Sequence, residues 1–300
     1  MPAPDVLRLA AFTDTPAGGN PAGVVLDATQ LDDAAMQQIA AEVGYSETAF
    51  LTSDGAAAGD GDARAYDVRY FSPAAEVPFC GHATIATAVA LAQRDGAGAI
   101  VLNTRSGPVA VQTQADGGDV SATLTSVAPA VHAVDDADVD VALEALGWTR
   151  ADLDPALPPR IAYAGARHLI LAVRTRARLA DLDYAFDALK AYMSQRDLTT
   201  VDLVWRQDAT TFHARNPFPV GGVVEDAATG AAAAAFGAYL RERGAVRPPV
   251  RVTVLQGADM GRPSELLIDL DPEPDAGVRV TGRAVRIPEG SASAARPAGS

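Results

Sequence analysis

Two stretches of this 300-residue chain share one make-up, and that likeness constrains the fold more than anything else in the sequence. "GHATIATAVALAQRDG" (81–96) and "TGAAAAAFGAYLRERG" (229–244) match in length, in small residues near the start, and in a charged end closed by glycine. Each follows a strand-like stretch and a Pro/Gly-containing loop, and each precedes a strand–turn–strand pattern. The two lie 148 residues apart, close to half the chain. Such spacing predicts two similar domains joined by a linker near 126–135.

The flanking segments repeat in the same order. "DVLRLAAF" (5–12) reads as a strand, followed by a Gly-rich loop and "VVLD". In "DDAAMQQIAAEVG" (32–44) the residues Met36, Ile39, Ala40 and Val43 share a helical face, and Gly44 suits the stop. "ETAFLT", "YDVRYFS" and "AIVLNTRSGPVAVQTQ" supply further strands, the last as a pair around a Gly-Pro turn. In the second half "VDLVWRQ", "TTFHARNPF" and "PVRVTVLQGADMGRPSELLIDL" do the same. The expected domains are 1–127 and 128–277, then a last strand near 278–288 and a Ser/Ala/Gly/Pro-rich end, 289–300, expected to be disordered.

Composition narrows the class of function. The net charge of −14 argues against nucleic acid or an anionic membrane, which both select a basic surface. It leaves room for a small anionic substrate, because backbone dipoles reverse the potential locally. One cysteine excludes an internal disulfide and leaves too few soft ligands for a structural zinc site, and the four histidines (82, 132, 168, 213) lack metal spacing. "MPAPDVLRLAAFT" has no cationic start followed by a long apolar run, so no signal peptide is expected. The longest apolar runs are about half the roughly 20 residues of a membrane span. A soluble, cytoplasmic protein is the expectation.

The starts of the two long helices hold the candidate chemistry. Small residues there let a ligand reach the first-turn backbone N–H groups, which with the helix dipole favour an anion such as a carboxylate; equally, small residues allow close packing of a buried helix. His82 sits in the first turn of one helix, where an imidazolium is disfavoured, so a neutral imidazole suits the place; a structural histidine fits as well. Asp226, three residues before Thr229, is also an ordinary helix-start residue. Glu47, in "GYSETAF", enters an apolar strand and is either a surface carboxylate past a turn or a desolvated one with a raised pKa.

"GGNPAGVVLD", "YSETAF", "RYFSPAAEVPFCGHATIATA", "RHLILAV" and "EDAATGAAAAAFGAYL", in this order, resemble the PhzF-like family of phenazine biosynthesis, a branch of the diaminopimelate epimerase-like fold. The resemblance implies an α+β chain of two pseudo-symmetric domains, each a curved mixed β-sheet or barrel around a central α-helix. It implies that the last strand returns to the first domain, and that the site lies where the helix N-termini meet. It implies an isomerase with no metal or organic cofactor, acting on a small carboxylate-bearing substrate, often as a homodimer. By the same resemblance Glu47, His82 and Asp226 are catalytic, and Asn20, Gly81, Thr229, Gly230 and Ala231 bind substrate. Phenazine-forming members carry serine at the position of Ala231, which cannot donate a hydrogen bond. Related epimerases use two cysteines; Cys80 falls at the first place and Ala227 at the second, so Cys80 is expected to be a small buried residue and a secondary candidate.

Three functions follow from these residues. The first is a proton-shifting isomerase using Glu47. The second is an amino-acid-type epimerase or racemase using Cys80 with a non-thiol partner. The third, invited by Ala231, is a small-ligand binding protein that has lost its chemistry.

Overall fold

The computed structural model describes residues 4–53, 56–57 and 63–288; the expected disordered end, 289–300, lies outside the described residues. The chain falls into two compact units. One ends at Thr125 and resumes at Thr281, and the other runs Ser126–Val280.

The first unit contains β1 (Leu7–Ala11), β2 (Asn20–Val25), α1 (Asp33–Val43), β3 (Glu47–Leu51), β4 (Ala56–Ala57), β5 (Arg64–Phe71), β6 (Glu76–Val77), α2 (Gly81–Asp95), β7 (Ala99–Thr104), β8 (Gly107–Asp116) and β9 (Asp119–Thr125). The second contains β10 (Ala130–His132), α3 (Asp136–Leu146), β11 (Arg160–Tyr163), β12 (Arg167–Val173), α4 (Arg176–Ala180), α5 (Phe186–Gln195), β13 (Thr200–Arg206), β14 (Thr211–Pro217), β15 (Glu225–Asp226), α6 (Gly230–Glu242), β16 (Val250–Gln256) and β17 (Ser264–Leu270). β18 (Arg279–Arg286) carries the chain back into the first unit.

In the first unit β1 pairs antiparallel with β2, β2 parallel with β3, β3 antiparallel with β5, β5 parallel with β7, β7 with β8 and β8 with β9 antiparallel. β18 pairs with both β9 and β1, closing eight strands into a barrel with no open edge. The second unit repeats the alternation: β11–β12 antiparallel, β12–β13 parallel, β13–β14 antiparallel, β14–β16 parallel, β16–β17 antiparallel. The segment expected as a linker, 126–135, is not a bare connection, because Ala130–His132 pairs with β11. Its apolar positions join the sheet, and the Asp135–Asp136 pair opens α3.

The two matched stretches are α2 and α6. Every residue from His82 to Ala92 is buried, as is every residue from Ala232 to Leu240. A helix buried all round belongs inside its domain rather than upon it, and each packs against several strands of its own unit. The alanines make this possible, because an eight-stranded barrel has room for little more than side chains. At Gly237 the approach is closest, and an added Cβ would lie 2.7 Å from Ile268 Cγ2. The buried hydroxyls of α2 are satisfied internally: Thr84 and Thr87 donate to Cys80 O and Ala83 O at 2.7 Å. Outside the barrel, α1 buries Met36 and Ala40 against Val25, Phe50 and Phe71, with about 1.5–3 kcal/mol from the methionine alone. Gly44 ends α1 in the left-handed conformation at φ 69°, as its position predicts.

Candidate active site

The cluster in the first unit begins with local geometry. Glu76 pairs opposite Phe71, turning the chain back toward α2. Arg69 clamps that turn by donating Nε and Nη2 to the two Glu76 carboxylate oxygens at 2.8 Å. After Pro78–Phe79 the chain enters α2 at Cys80, which is extended (φ −146°) and does not use its side chain to cap the helix. A Cβ added to Gly81 would meet no heavy atom within 4 Å, so packing does not require glycine there.

Glu47 opens β3, paired with Ala22 of β2, and its side chain is 18% exposed. It is not a surface carboxylate. Glu47 Oε2 lies 3.3 Å from His82 Nε2 and accepts from Cys80 Sγ at 3.4 Å. Cys80 Sγ is also 3.4 Å from His82 Nδ1. Burial pushes the Glu47 carboxyl above the usual range, opposed by hydrogen bonds from Ser46 and Cys80. Buried His82 receives Asn20 Nδ2 at Nδ1 (3.2 Å) and has Ser46 Oγ 3.3 Å from Nε2. An amide nitrogen only donates, so Nδ1 accepts and Nε2 carries the proton, facing Glu47. The neutral imidazole expected at a helix N-terminus fits this tautomer. Sequence reasoning took Cys80 as a buried residue, which it is at 8% exposure; the contact of its sulfur with both Glu47 and His82 was not foreseen.

The second unit places Asp226, Thr229, Gly230 and Ala231 together. Asp226 lies on β15 opposite Asn216 of β14. Its neighbour Glu225 is clamped by Arg215, Nε to Oε1 at 2.9 Å and Nη2 to Oε2 at 2.5 Å, in the same place and geometry as Arg69 and Glu76. Thr229 donates to Asp226 Oδ2 at 2.7 Å and leaves α6 uncapped by its own side chain. Gln256, at the end of β16, donates to Asp226 O at 2.8 Å and accepts from Thr229 N at 3.1 Å. This glutamine is 1% exposed and escaped sequence reasoning; its signal is a polar residue on the inward face of an alternating strand, in step with Val252 and Val254.

A second buried network lies deeper in that unit. Thr200 Oγ1 is 2.8 Å from His168 Nδ1 and donates to Asn216 Oδ1 at 2.6 Å, while Asn216 Nδ2 donates to Asp202 Oδ1 at 3.0 Å. Burial holds Asp202 up to about 7 and His168 down to about 3.

Paired barrel-like units, each around a buried helix whose first turn carries small residues, define a diaminopimelate epimerase-like α+β fold. A hydroxyproline epimerase from Agrobacterium vitis matches over 94% of this chain and 90% of its own, with TM-score 0.63 and 17% identity. A PhzF-family protein from Bacillus anthracis matches over 96% of this chain and 98% of its own, with TM-score 0.84 and 24% identity. Residues 9–290 fit the profile of the phenazine biosynthesis-like protein family, so the chain belongs to that family. A trans-2,3-dihydro-3-hydroxyanthranilate isomerase from Pseudomonas chlororaphis is 32% identical over 286 residues, 94% of this chain and 96% of the relative. Among the described residues no helix is long and apolar enough to cross a membrane.

Proposed function

We propose that the chain is an isomerase that moves a proton within a small carboxylate-bearing metabolite, with Glu47 removing and returning the proton. The observation that carries this reading is a largely buried carboxyl, its pKa raised by burial, 3.3 Å from the His82 imidazole. Burial that raises its pKa makes the carboxyl a better proton acceptor than an exposed one, which acid/base work requires. His82 Nε2–H steadies the ionised carboxylate, and Asn20 keeps that tautomer.

Backbone N–H groups at Gly81 and Gly230 are assigned to developing negative charge, a role in which one donor contributes about 3 kcal/mol of barrier. Asp226, bonded to Thr229, is assigned to holding the substrate. The family membership and the isomerase name of the Pseudomonas chlororaphis relative support the reaction class. The substrate class extends from that relative's name only as far as a carboxylate, because Ala231 offers no hydroxyl at the start of α6.

One observation favours a second reading. The Cys80 thiol lies 3.4 Å from both Glu47 Oε2 and His82 Nδ1, which suits an epimerase using sulfur as one base. Incubation with hydroxylated and unsaturated carboxylic acids in D₂O separates the two. Deuterium entering with movement of a double bond supports the first. Exchange at a stereocentre with the double bonds unmoved supports the second. Ligands that bind and never exchange would overturn both and leave a binding protein.

A further inference from the structure

The loop ahead of α6 is held from the side by the end of a strand. Gln256 closes β16 with both ends of its buried amide engaged on that loop. Its Oε1 accepts from Thr229 N–H at 3.1 Å, and its Nε2 donates to Asp226 O at 2.8 Å and to Thr229 Oγ1 at 3.1 Å. A backbone N–H only donates, which fixes the orientation of the amide. The Thr229 hydroxyl accepts from the amide nitrogen, so its single proton is left for Asp226 Oδ2, 2.7 Å away. Polarity therefore runs one way, from Gln256 through Thr229 to the Asp226 carboxylate. The neighbouring backbone presses on the same loop. A Cβ added to Gly257 would lie 2.7 Å from Ala227 O, a clash that glycine avoids.

The matching place in the first unit is used otherwise. Arg69 corresponds to Arg215, so Val68 corresponds to Ala214, the register partner of Gln256. Val68 stands one step past the Asp67–Asn103 pair, which puts Thr104 in the place of Gln256. The Thr104 hydroxyl donates to Gly107 O at 2.7 Å and accepts from Ser106 N at 3.1 Å, so it closes its own hairpin. Ending such a strand therefore does not require a buried amide, and the length and burial of Gln256 answer to the loop it reaches. We propose that Gln256 is a positioning residue that orients the Thr229 hydroxyl and, through it, the Asp226 carboxylate toward substrate. The substrate part rests on the proposed function, in which Asp226 holds the substrate; the hydrogen-bond relay does not. A carboxylate already aligned has less freedom to lose when a ligand arrives, so the contribution falls on binding rather than on the proton-moving step.

The test compares the full wild-type chain with Gln256→Met, which removes the amide, and Gln256→Asn, which keeps an amide one methylene short of the loop. If one variant fails to fold, the other carries the comparison. The first readout needs no substrate. In chain labelled with nitrogen-15 threonine, the Thr229 amide signal is identified by its loss in Thr229→Ser, and its hydrogen exchange is expected to speed up about 10-fold or more in either Gln256 variant. The second is deuterium uptake from D₂O into a carboxylic acid that wild type turns over. KM should rise about 10-fold with kcat within about 2-fold. In an Asp226→Ala background, Gln256→Met should add less than about 2-fold to the loss in kcat/KM, because the two residues act as one unit. Thr104→Val should change neither readout. Unchanged Thr229 exchange in the folded variants overturns the relay. An unchanged KM, or a full additional loss in the Asp226→Ala background, overturns the positioning role. Faster Thr229 exchange in a chain whose wild type turns over no carboxylate would overturn the proposed function instead and confine Gln256 to holding the loop.

Discussion

The two units run the same strand pattern around the same kind of helix, yet they spend equivalent positions differently. Counting through the paired registers, Arg69 and Glu76 correspond to Arg215 and Glu225, and both pairs make the same two-pronged clamp just ahead of the central helix. Glu47 opens β3 with the first rung of a parallel ladder, and Thr200 opens β13 in the same way. There the likeness ends. Glu47 meets a histidine and a thiol at a partly open place. Thr200 is fully buried in a chain of hydrogen bonds running from His168 to Asp202. The two units share the clamp where it positions a helix and differ at the strand start, where one holds a carboxyl beside a thiol and an imidazole and the other a buried hydrogen-bond chain.

The comparison breaks most visibly at the equivalent pair Glu47 and Thr200. Glu47→Gln should lower turnover by about 10²–10⁴-fold or more with an unchanged thermal midpoint. Thr200→Val should leave turnover in place and cost about 1–3 kcal/mol, from stranding Asn216 and His168. Equal losses of turnover in both variants would erase the distinction between the units.

The clamps sharpen it next. Arg215 and Glu225 have side chains only 10% and 4% exposed, so Glu225→Ala should cost about 3–5 kcal/mol in urea unfolding by leaving a buried guanidinium uncompensated. Glu76→Ala should cost less, about 1–2 kcal/mol, because Arg69 keeps Asp33 at 2.6 Å. A reversed order would show that burial does not set the strength of these clamps.

The last effect is a slope, small near neutral pH and growing only in acid. Between about 4 and 6.5 the unfolded chain carries an ionised Asp202 and a charged His168, and the folded network holds both neutral. The two states then bind equal numbers of protons, and the opposing slopes cancel. Asp202→Asn leaves His168 alone, with a folded pKa near 3 against 6.5 unfolded. Its folded state binds fewer protons, so stability should be full above about 6.5 and fall by about 1.4 kcal/mol per pH unit toward 3. Unfolding midpoints of variant and wild type at three acidic pH values check this, and parallel curves would refute it.

How much of this was legible follows from range. α2 and α6 announce themselves by local composition, and Gly44 by its place at the end of a periodic run. Apart from "RHLILAV" at 167–173, residues 136–195 drew no reading, although α3 opens on Asp136 and Asp138 and closes at Gly147 in ordinary fashion; attention to a linker at 126–135 hid a region rich in helix. The clamps were invisible because seven residues separate Arg69 from Glu76 and ten separate Arg215 from Glu225, distances set by two unlike turns. Asp202 interrupts the apolar run Val201–Trp205 of β13, Asn216 lies in the mixed strand β14, and only the fold supplies their partners. Cys80 was legible as buried, but its contact with Glu47 depends on a strand and a helix start meeting in space.

The closing strand carries a last consequence. Because β18 fills the gap between β9 and β1, the earlier-synthesised barrel cannot be completed until the whole intervening unit has left the ribosome. During that interval the margins of β9 and β1 that β18 later covers stay open to other partners.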